Sequence, residues 1–293
     1  MSLTLPFGFI SSQGPKPFDF QFVEKLTNIG SDGTQGPDFS NARNQDVTYN
    51  SNDGKFYIIA CGGSTDTYHY DYSYPSGKSG NYVGKANPGH SNRGIAWNGG
   101  EYVETYFQNL SGTKTNPTQL AKYDQNTAGT GSFDLQAGSI IDGPNGEHKA
   151  VAYESTTFIY ALTQDSTSKQ IKFIPGYTGS STFTLTAQEN YPTGCDWSRT
   201  YEKFFVVYRN LDGSGNGIID MYDYDFVNPD VPTNPQRLIM SASDIGSAGG
   251  NVFRLAGLAI DNSNNNLIVL HNNAGTGTTQ NKSEAFVYSL DGL

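Results

Sequence analysis

Between the apolar runs "KFFVVYRN" and "MYDYDF" lies "DGSGNGIID", residues 212–220, where side-chain oxygens fall at alternate positions. Asp212, Ser214 and Asn216 supply them, Gly217 follows, and Asp220 and Asp223 come later. A hard cation takes six to eight oxygens, and a chain wrapped around it can offer side chains only from every second residue, with glycine permitting the bend. This spacing predicts a structural Ca2+ site built from Asp212, Ser214, Asn216, the carbonyl of Ile218 and Asp220, of modest affinity because only two carboxylates take part. The same residues also suit a plain hairpin loop, since Gly and Asn accept the left-handed backbone that tight turns need. Both readings stay open at this stage.

The loop resembles the calcium loops of EF-hands and of integrin-type propellers, D-x-[DN]-x-[DN]-G. Ser214 stands where Asp or Asn is usual, and Asp223 stands where a bidentate Glu would sit. A second group able to do chemistry is "TYHYDYSY". In an extended strand Tyr68, Tyr70, Tyr72 and Tyr74 form a ladder on one face, with His69, Asp71 and Ser73 on the other. Tyrosine faces pack on the apolar faces of sugar rings, so the ladder is a candidate recognition surface, with a buried inter-sheet contact as the alternative. His90 with Arg93, and His148, add hydrogen-bonding groups in Gly-rich surroundings.

Positioning these groups requires elements, and the elements repeat. "DVTYNSNDGKFYIIA", "GIAWNGGEYVETYF", "AVAYESTTFIYALT", "GCDWSRTYEKFFVVY" and "GLAIDNSNNNLIVL" share one pattern. Small and bulky residues alternate, polar turn residues follow, and a second apolar strand comes next. A third strand follows each ("TYHYDY", "TQLAKYD", "KQIKFI", "GIIDMYDYDF", "SEAFVYSL"), and four of the five have a fourth. The spacing, roughly 44 to 63 residues, suits a four-stranded propeller blade. The fifth repeat runs out of chain, while "FDFQFVEKL" near the N-terminus is a spare strand. The fold class expected is therefore all-β: a five-bladed β-propeller of four-stranded blades over residues 18–293, its ring closed by the N-terminal strand, with residues 1–17 as an extended arm able to dock on a partner. Closure would remove an exposed sheet edge. The bulky residues of the first strands, Tyr49, Trp97, Tyr153, Trp197 and Ile260, are expected to be core rather than a ligand platform.

This architecture resembles the five-bladed propellers, a group that includes tachylectin-2-like lectins and several glycosidase families. The resemblance implies a ligand over the central channel, where the inner strands begin; there the sequence places Asp46, His90, Arg93, Glu147, His148, Asp196 and Arg254. It also implies an alternative to binding: a glycoside hydrolase using Asp46, Glu147 and Asp196, one as acid and another as base or nucleophile. Asp196 stands out because Thr48, Ala96, Ala152 and Ala259 hold the matching place in the other repeats. A carboxyl there enters a crowded interior and must be hydrogen-bonded or paired.

Composition narrows the classes. With 34 Gly, 19 Tyr, 17 Phe and 16% charged residues, the chain carries less charge than the about 25% usual in globular proteins. Its net charge of −10 argues against nucleic acid as a partner. No apolar run reaches the roughly 20 residues a bilayer span needs, so membrane insertion is not expected. The opening "MSLTLPFGFISSQGPKP" does not read as a signal peptide. An Asn-, Gly-, Ser-, Thr- and Tyr-rich chain poor in Lys and Glu is typical of secreted lectins and of virion tail or fibre proteins. The expectation is a non-enzymatic binding protein of an extracellular or virion surface, directed at carbohydrate or another cell-surface receptor, with other virion proteins as partners of the arm. Cys61 and Cys195 sit in separate apolar strands and are expected to be buried thiols.

Overall fold

The computed structural model describes residues 20–27, 42–62, 66–87, 92–106, 119–125, 132–143, 148–155, 158–163, 169–178, 180–181, 183–228, 230–245, 255–271 and 284–293. These are mostly strand, as the repeats predicted, in a propeller-like all-β arrangement.

The first strand, β1 (Gln21–Thr27), pairs with the last strand of the chain. A nine-stranded sheet follows. It contains the meander β2 (Ala42–Asn50), β3 (Lys55–Gly62), β4 (Asp66–Ser73) and β5 (Gly80–Asn87). A second meander runs through β6 (Ile95–Trp97), β7 (Tyr102–Tyr106), β8 (Gln119–Gln125) and β9 (Ser132–Leu135), with the short β10 (Ile141–Asp142) beside β8. Two four-stranded sheets come next: β11 (His148–Ser155), β12 (Phe158–Thr163), β13 (Gln170–Pro175) and β14 (Phe183–Thr186), then β15 (Pro192–Ser198), β16 (Lys203–Tyr208), β17 (Gly217–Asp223) and β18 (Thr233–Met240). One helical turn, α1 (Ala242–Ile245), leads to β19 (Leu255–Asp261), β20 (Asn266–His271) and β21 (Glu284–Ser289). The last sheet has the order β1-β21-β20-β19, so the N-terminal strand supplies its fourth member, Phe22 opposite Tyr288 and Leu26 opposite Ala285.

One join was not anticipated. Strands β5 and β9 pair in parallel, Lys85 opposite Ser132 and Ala86 opposite Phe133, which merges the first two meanders into one sheet. Both are the fourth strands of their meanders and run the same way, so when their edges meet the only ladder open to them is parallel.

Burial follows distance from the middle. In β16 and β19 both faces are covered, which is why "KFFVVY" and "LAGLAID" read as nearly continuous apolar runs. The fourth strand β18, "TNPQRLIM", is mostly exposed. Each first strand packs against the first strand of the next set: β2 on β6, β6 on β11, β11 on β15, β15 on β19, and β19 back on β2. Apolar clusters fill the seams between neighbouring sets. One joins β11–β14 to β15–β18 through Tyr160, Phe173, Trp197 and Phe204, and another joins β15–β18 to β19–β21 through Phe205, Met221, Leu258 and Phe286.

The first strands approach so closely that glycine is required. A Cβ on Gly257 would lie 2.3 Å from Asp46 Oδ1 and 2.5 Å from the Asp46 Cα. One on Gly194 would lie 2.5 Å from the backbone nitrogen of Leu258. These are the small positions of the small–bulky alternation.

Candidate functional site

The first strands have free edges toward the middle of the molecule, and their inward N–H groups need acceptors. The neighbouring first strand provides them. Asp46 Oδ2 accepts from the Ile95 N–H at 3.0 Å, Thr48 Oγ1 from the Trp97 N–H at 3.0 Å, and Asp196 Oδ2 from the Ile260 N–H at 2.8 Å. Asp196 Oδ1 also accepts from its neighbour Trp197 at 2.8 Å. The unusual acid of the fourth repeat therefore stitches two inner strands together.

Where these strands end, they surround a cavity of about 360 Å³. Tyr49, Trp97, Tyr153 and Trp197 form a girdle of rings from four strands, with Asp196 reaching the cavity between them. Asn98, Arg199, Asn262 and Ser263 from the following turns, with Glu154 from the end of β11, make the rim polar. Arg199 is held by the Glu154 carboxylate at 2.6 Å and the Glu154 carbonyl at 3.0 Å, and its guanidinium lies 5.3 Å from the centre of the Phe226 ring. Its backbone N–H donates to Asn262 Oδ1 at 3.1 Å.

Burial pushes the Asp196 carboxyl up to about 7, against the lowering effect of the Ile260 and Trp197 amides. Asp46, 1% exposed, is held well above the usual carboxylate range by burial, opposed by the Ile95, Val47 and Val151 amides and reinforced by the charge of Asp196. Burial raises the Cys195 thiol as well, and the charges of Asp46 and Asp196 add to it. Cys195 is a buried free thiol, whereas Cys61 lies on β3 with its side chain outside the described residues.

Of the three acids expected at the channel mouth, Asp196 lines the cavity, Asp46 is buried behind it, and Glu147 lies outside the described residues. Arg93 and His148 sit where β6 and β11 begin, at the opposite end of the inner strands from this cavity. The Arg93 N–H donates to Thr105 Oγ1 at 3.2 Å, and His148 is fully buried opposite Thr163. His90 and Arg254 lie outside the described residues, as does the 1–17 arm.

The tyrosine ladder requires a correction. Tyr68, Tyr70, Tyr72 and Tyr74 are 7%, 0%, 4% and 5% exposed, packed in the seam cluster that joins β2–β5 to β19–β21. A ring enclosed in a core offers no face to a ligand. Its opposite face carries His69, whose Nε2 lies 2.5 Å from Glu104 Oε1 while Asn92 Nδ2 donates to Glu104 Oε2 at 2.5 Å. This buried cluster bridges the first two meanders, and the sequence alone carried no sign of the pairing.

The Asp212 loop is held by its own hydrogen bonds. Asp212 Oδ1 accepts the backbone N–H groups of Ser214 at 2.8 Å and Asn216 at 2.9 Å, and Oδ2 accepts Asn216 Nδ2 at 3.0 Å. Asn216 Oδ1 faces away to the Ala242 N–H at 2.9 Å. Asp220, 1% exposed on β17, is taken by Tyr208 at 2.7 Å and Arg237 at 3.1 Å. The carboxylates of Asp212 and Asp220 are thus engaged by different partners, one by the amides of its own turn and the other by Tyr208 and a cross-strand arginine. Among the described residues no group of three or more His, Cys, Asp or Glu is arranged to hold a metal.

The inner-strand rings are the reverse case. Tyr49, Trp97 and Tyr153, expected to be pure core, are only half-buried and face the cavity. Their shared place in the repeat was the available signal.

No family model matches the chain, and no curated protein matches it in sequence. Among solved structures the chain is similar to Kuenenia stuttgartiensis hydrazine synthase, with 11% identity and a TM-score of 0.45 over 78% of this chain. The match spans about half of that protein's chain, 55%. Likeness at this level says nothing of activity.

Proposed function

We propose that residues 18–293 form a five-bladed β-propeller that binds a saccharide, without turning it over, in the cavity where the inner strands end. Support for the blade count comes from the succession of first strands, which returns from β19 to β2, and from the N-terminal strand that supplies the last outer position. The girdle of Tyr49, Trp97 and Tyr153 under a rim of amides and hydroxyls carries the functional reading. Sugars bind by stacking an apolar ring face on an aromatic side chain while hydroxyls find fixed donors and acceptors, and about 360 Å³ is within the ordinary range of small-ligand sites. An extracellular or virion surface, with the 1–17 arm docking on a partner, suits the composition.

Binding to a panel of immobilised glycans tests this, with Trp97→Ala as the control that removes the girdle. A saccharide retained by the wild type and lost by the variant supports the reading. Release of nitrophenol from chromogenic glycosides, abolished by Asp196→Asn, would replace it with a hydrolase.

A further inference from the structure

We infer that the ligand is an uncharged saccharide chain of at least two units, one in the axial cavity and the next on the seam between β6–β9 and β11–β14. This deepens the saccharide reading above and rests on it. The axial cavity continues into a second, shallower depression, and the two share Asn98, Gly99 and Tyr153. Small residues line the boundary between the two on one side. A Cβ added to Gly99 would meet no atom within 4 Å, and Gly100 would meet only the Asn98 side chain at 3.8 Å. Tyr153, half-buried at the end of β11, lines both depressions and lies at their junction.

The outer depression is polar and its groups are already set in place. Gln136 Nε2 donates to Glu101 Oε1 at 3.1 Å and to Asp124 Oδ1 at 2.8 Å. Asn98 Oδ1 accepts from the Gly100 and Glu101 N–H groups at 3.0 and 2.7 Å, and its Nδ2 donates to Glu101 Oε2 at 3.3 Å. Burial acts to raise the Glu101 carboxyl, but hydrogen bonds from Lys122, Gln136 and Asn98 outweigh it and hold it below the usual carboxylate value. Glu101 thus stays ionised and offers its remaining lone pairs to hydroxyl donors. Preorganised carboxylates and amides beside an aromatic face are what a run of sugar hydroxyls needs, and ordering them in advance lowers the entropic cost of binding.

Charge decides between neutral and acidic sugars. Glu101, Asp124, Glu154 and Asp196 face these two depressions. Of the described cations beside them, Lys122 is paired with Glu101 at 2.9 Å and Arg199 with Glu154 at 2.6 Å. A uronate or sialylated chain would find no uncommitted cation among these groups, in a molecule of net charge −10.

The test is calorimetric titration with cello-, chito- and galacto-oligosaccharides of one to four units, and with oligogalacturonides as the acidic counterpart. In the neutral series that binds, affinity should rise about tenfold or more from one unit to three, because charged hydrogen-bond partners in the outer depression are engaged only by the longer chain. Gln136→Ala, with its melting temperature checked for folding, should bring the ratio of trimer to monomer affinity close to one. Oligogalacturonides should bind more weakly than the galacto series. Equal affinity for monomer and trimer, an unchanged ratio in Gln136→Ala, or tighter binding of the acidic chain would each overturn this inference while leaving the saccharide reading standing. Absence of binding by any of these sugars, neutral or acidic, monomer included, would overturn both.

Discussion

Replacing Asp196 by Asn should change how stability depends on pH, and by an amount that follows from its surroundings. In the folded chain this carboxyl titrates at about 7 because it is buried; in the unfolded chain it titrates near 3.9. The folded state therefore binds the proton more tightly. Its contribution is fully present below about pH 4 and is lost as pH rises through about 7. Roughly three pH units at about 1.4 kcal/mol each gives about 4 kcal/mol, an upper value because the cavity admits water to one side of the group. Asn carries no titrating proton, so the stability of wild type minus that of Asp196→Asn should fall by up to about 4 kcal/mol between pH 4 and pH 8. At the acidic end the variant should be the weaker by about 1 to 3 kcal/mol, since its amide nitrogen must face one of the two N–H groups, of Trp197 or Ile260, that the carboxyl accepts. Taking the difference cancels groups that titrate elsewhere, such as His271, lowered to about 4 chiefly by burial. Asp46 and Cys195 are coupled to it; the thiol, raised well above its ordinary value, does not titrate in this range, and relief of the Asp46 repulsion by Asp196 acts in the same direction. Urea unfolding at half-unit pH intervals, followed by tryptophan fluorescence, measures this. A difference that stays level within about 0.5 kcal/mol from pH 4 to 8 would refute the linkage argument.

Gly257→Ala should destabilise the protein by about 3 kcal/mol or more, or prevent soluble expression, since its Cβ would meet Asp46 backbone at 2.5 Å and overpacking against main chain cannot be relieved by a rotamer change; thermal unfolding with a normal midpoint would show that β19 and β2 are not so close. Glu104→Ala, which leaves His69 and Asn92 in a sealed seam without their shared acceptor, should cost about 3 to 5 kcal/mol by urea unfolding, and Glu104→Gln appreciably less. For the Asp212 loop, melting curves in millimolar calcium and in chelator should coincide, because its carboxylate is occupied by amide donors; a rise in midpoint with calcium that Asp212→Ala removes would restore the ion site. Deleting residues 1–27 should remove β1, bare the β21 edge and Tyr288, and leave an aggregating product in size-exclusion chromatography. An unchanged monomer peak would contradict that.

What could be read in advance follows from where each pattern originates. The four-strand sets were legible because each first strand must alternate small with bulky residues to pass its neighbours, and Gly94, Gly194 and Gly257 are the visible trace of that constraint. The role of β1 was legible as a remainder: one set lacked an edge and one strand lacked a set, although its span is Gln21–Thr27 rather than 18–26. The site was less so. Tyr68, Tyr70 and Tyr72 and the row Tyr49, Trp97 and Tyr153 are equally aromatic and both lie on strands, yet the first row faces a neighbouring sheet and the second faces open space where strands diverge. Local sequence does not encode which neighbour a strand face will meet.

By itself the sequence determined the all-β class, the strand sets and the glycine positions, because these depend on backbone crowding and two-residue periodicity within each segment. Tertiary structure alone decided which oxygens were free. The carboxylates of Asp212 and Asp220 are eight positions apart and look like co-ligands, but one is taken by the amides of its own turn and the other by Arg237 from the adjacent strand. Likewise His69 finds Glu104, 35 residues away, only across a seam. Hydrogen-bond partners drawn from different sheets are set by packing, and packing has no local signature.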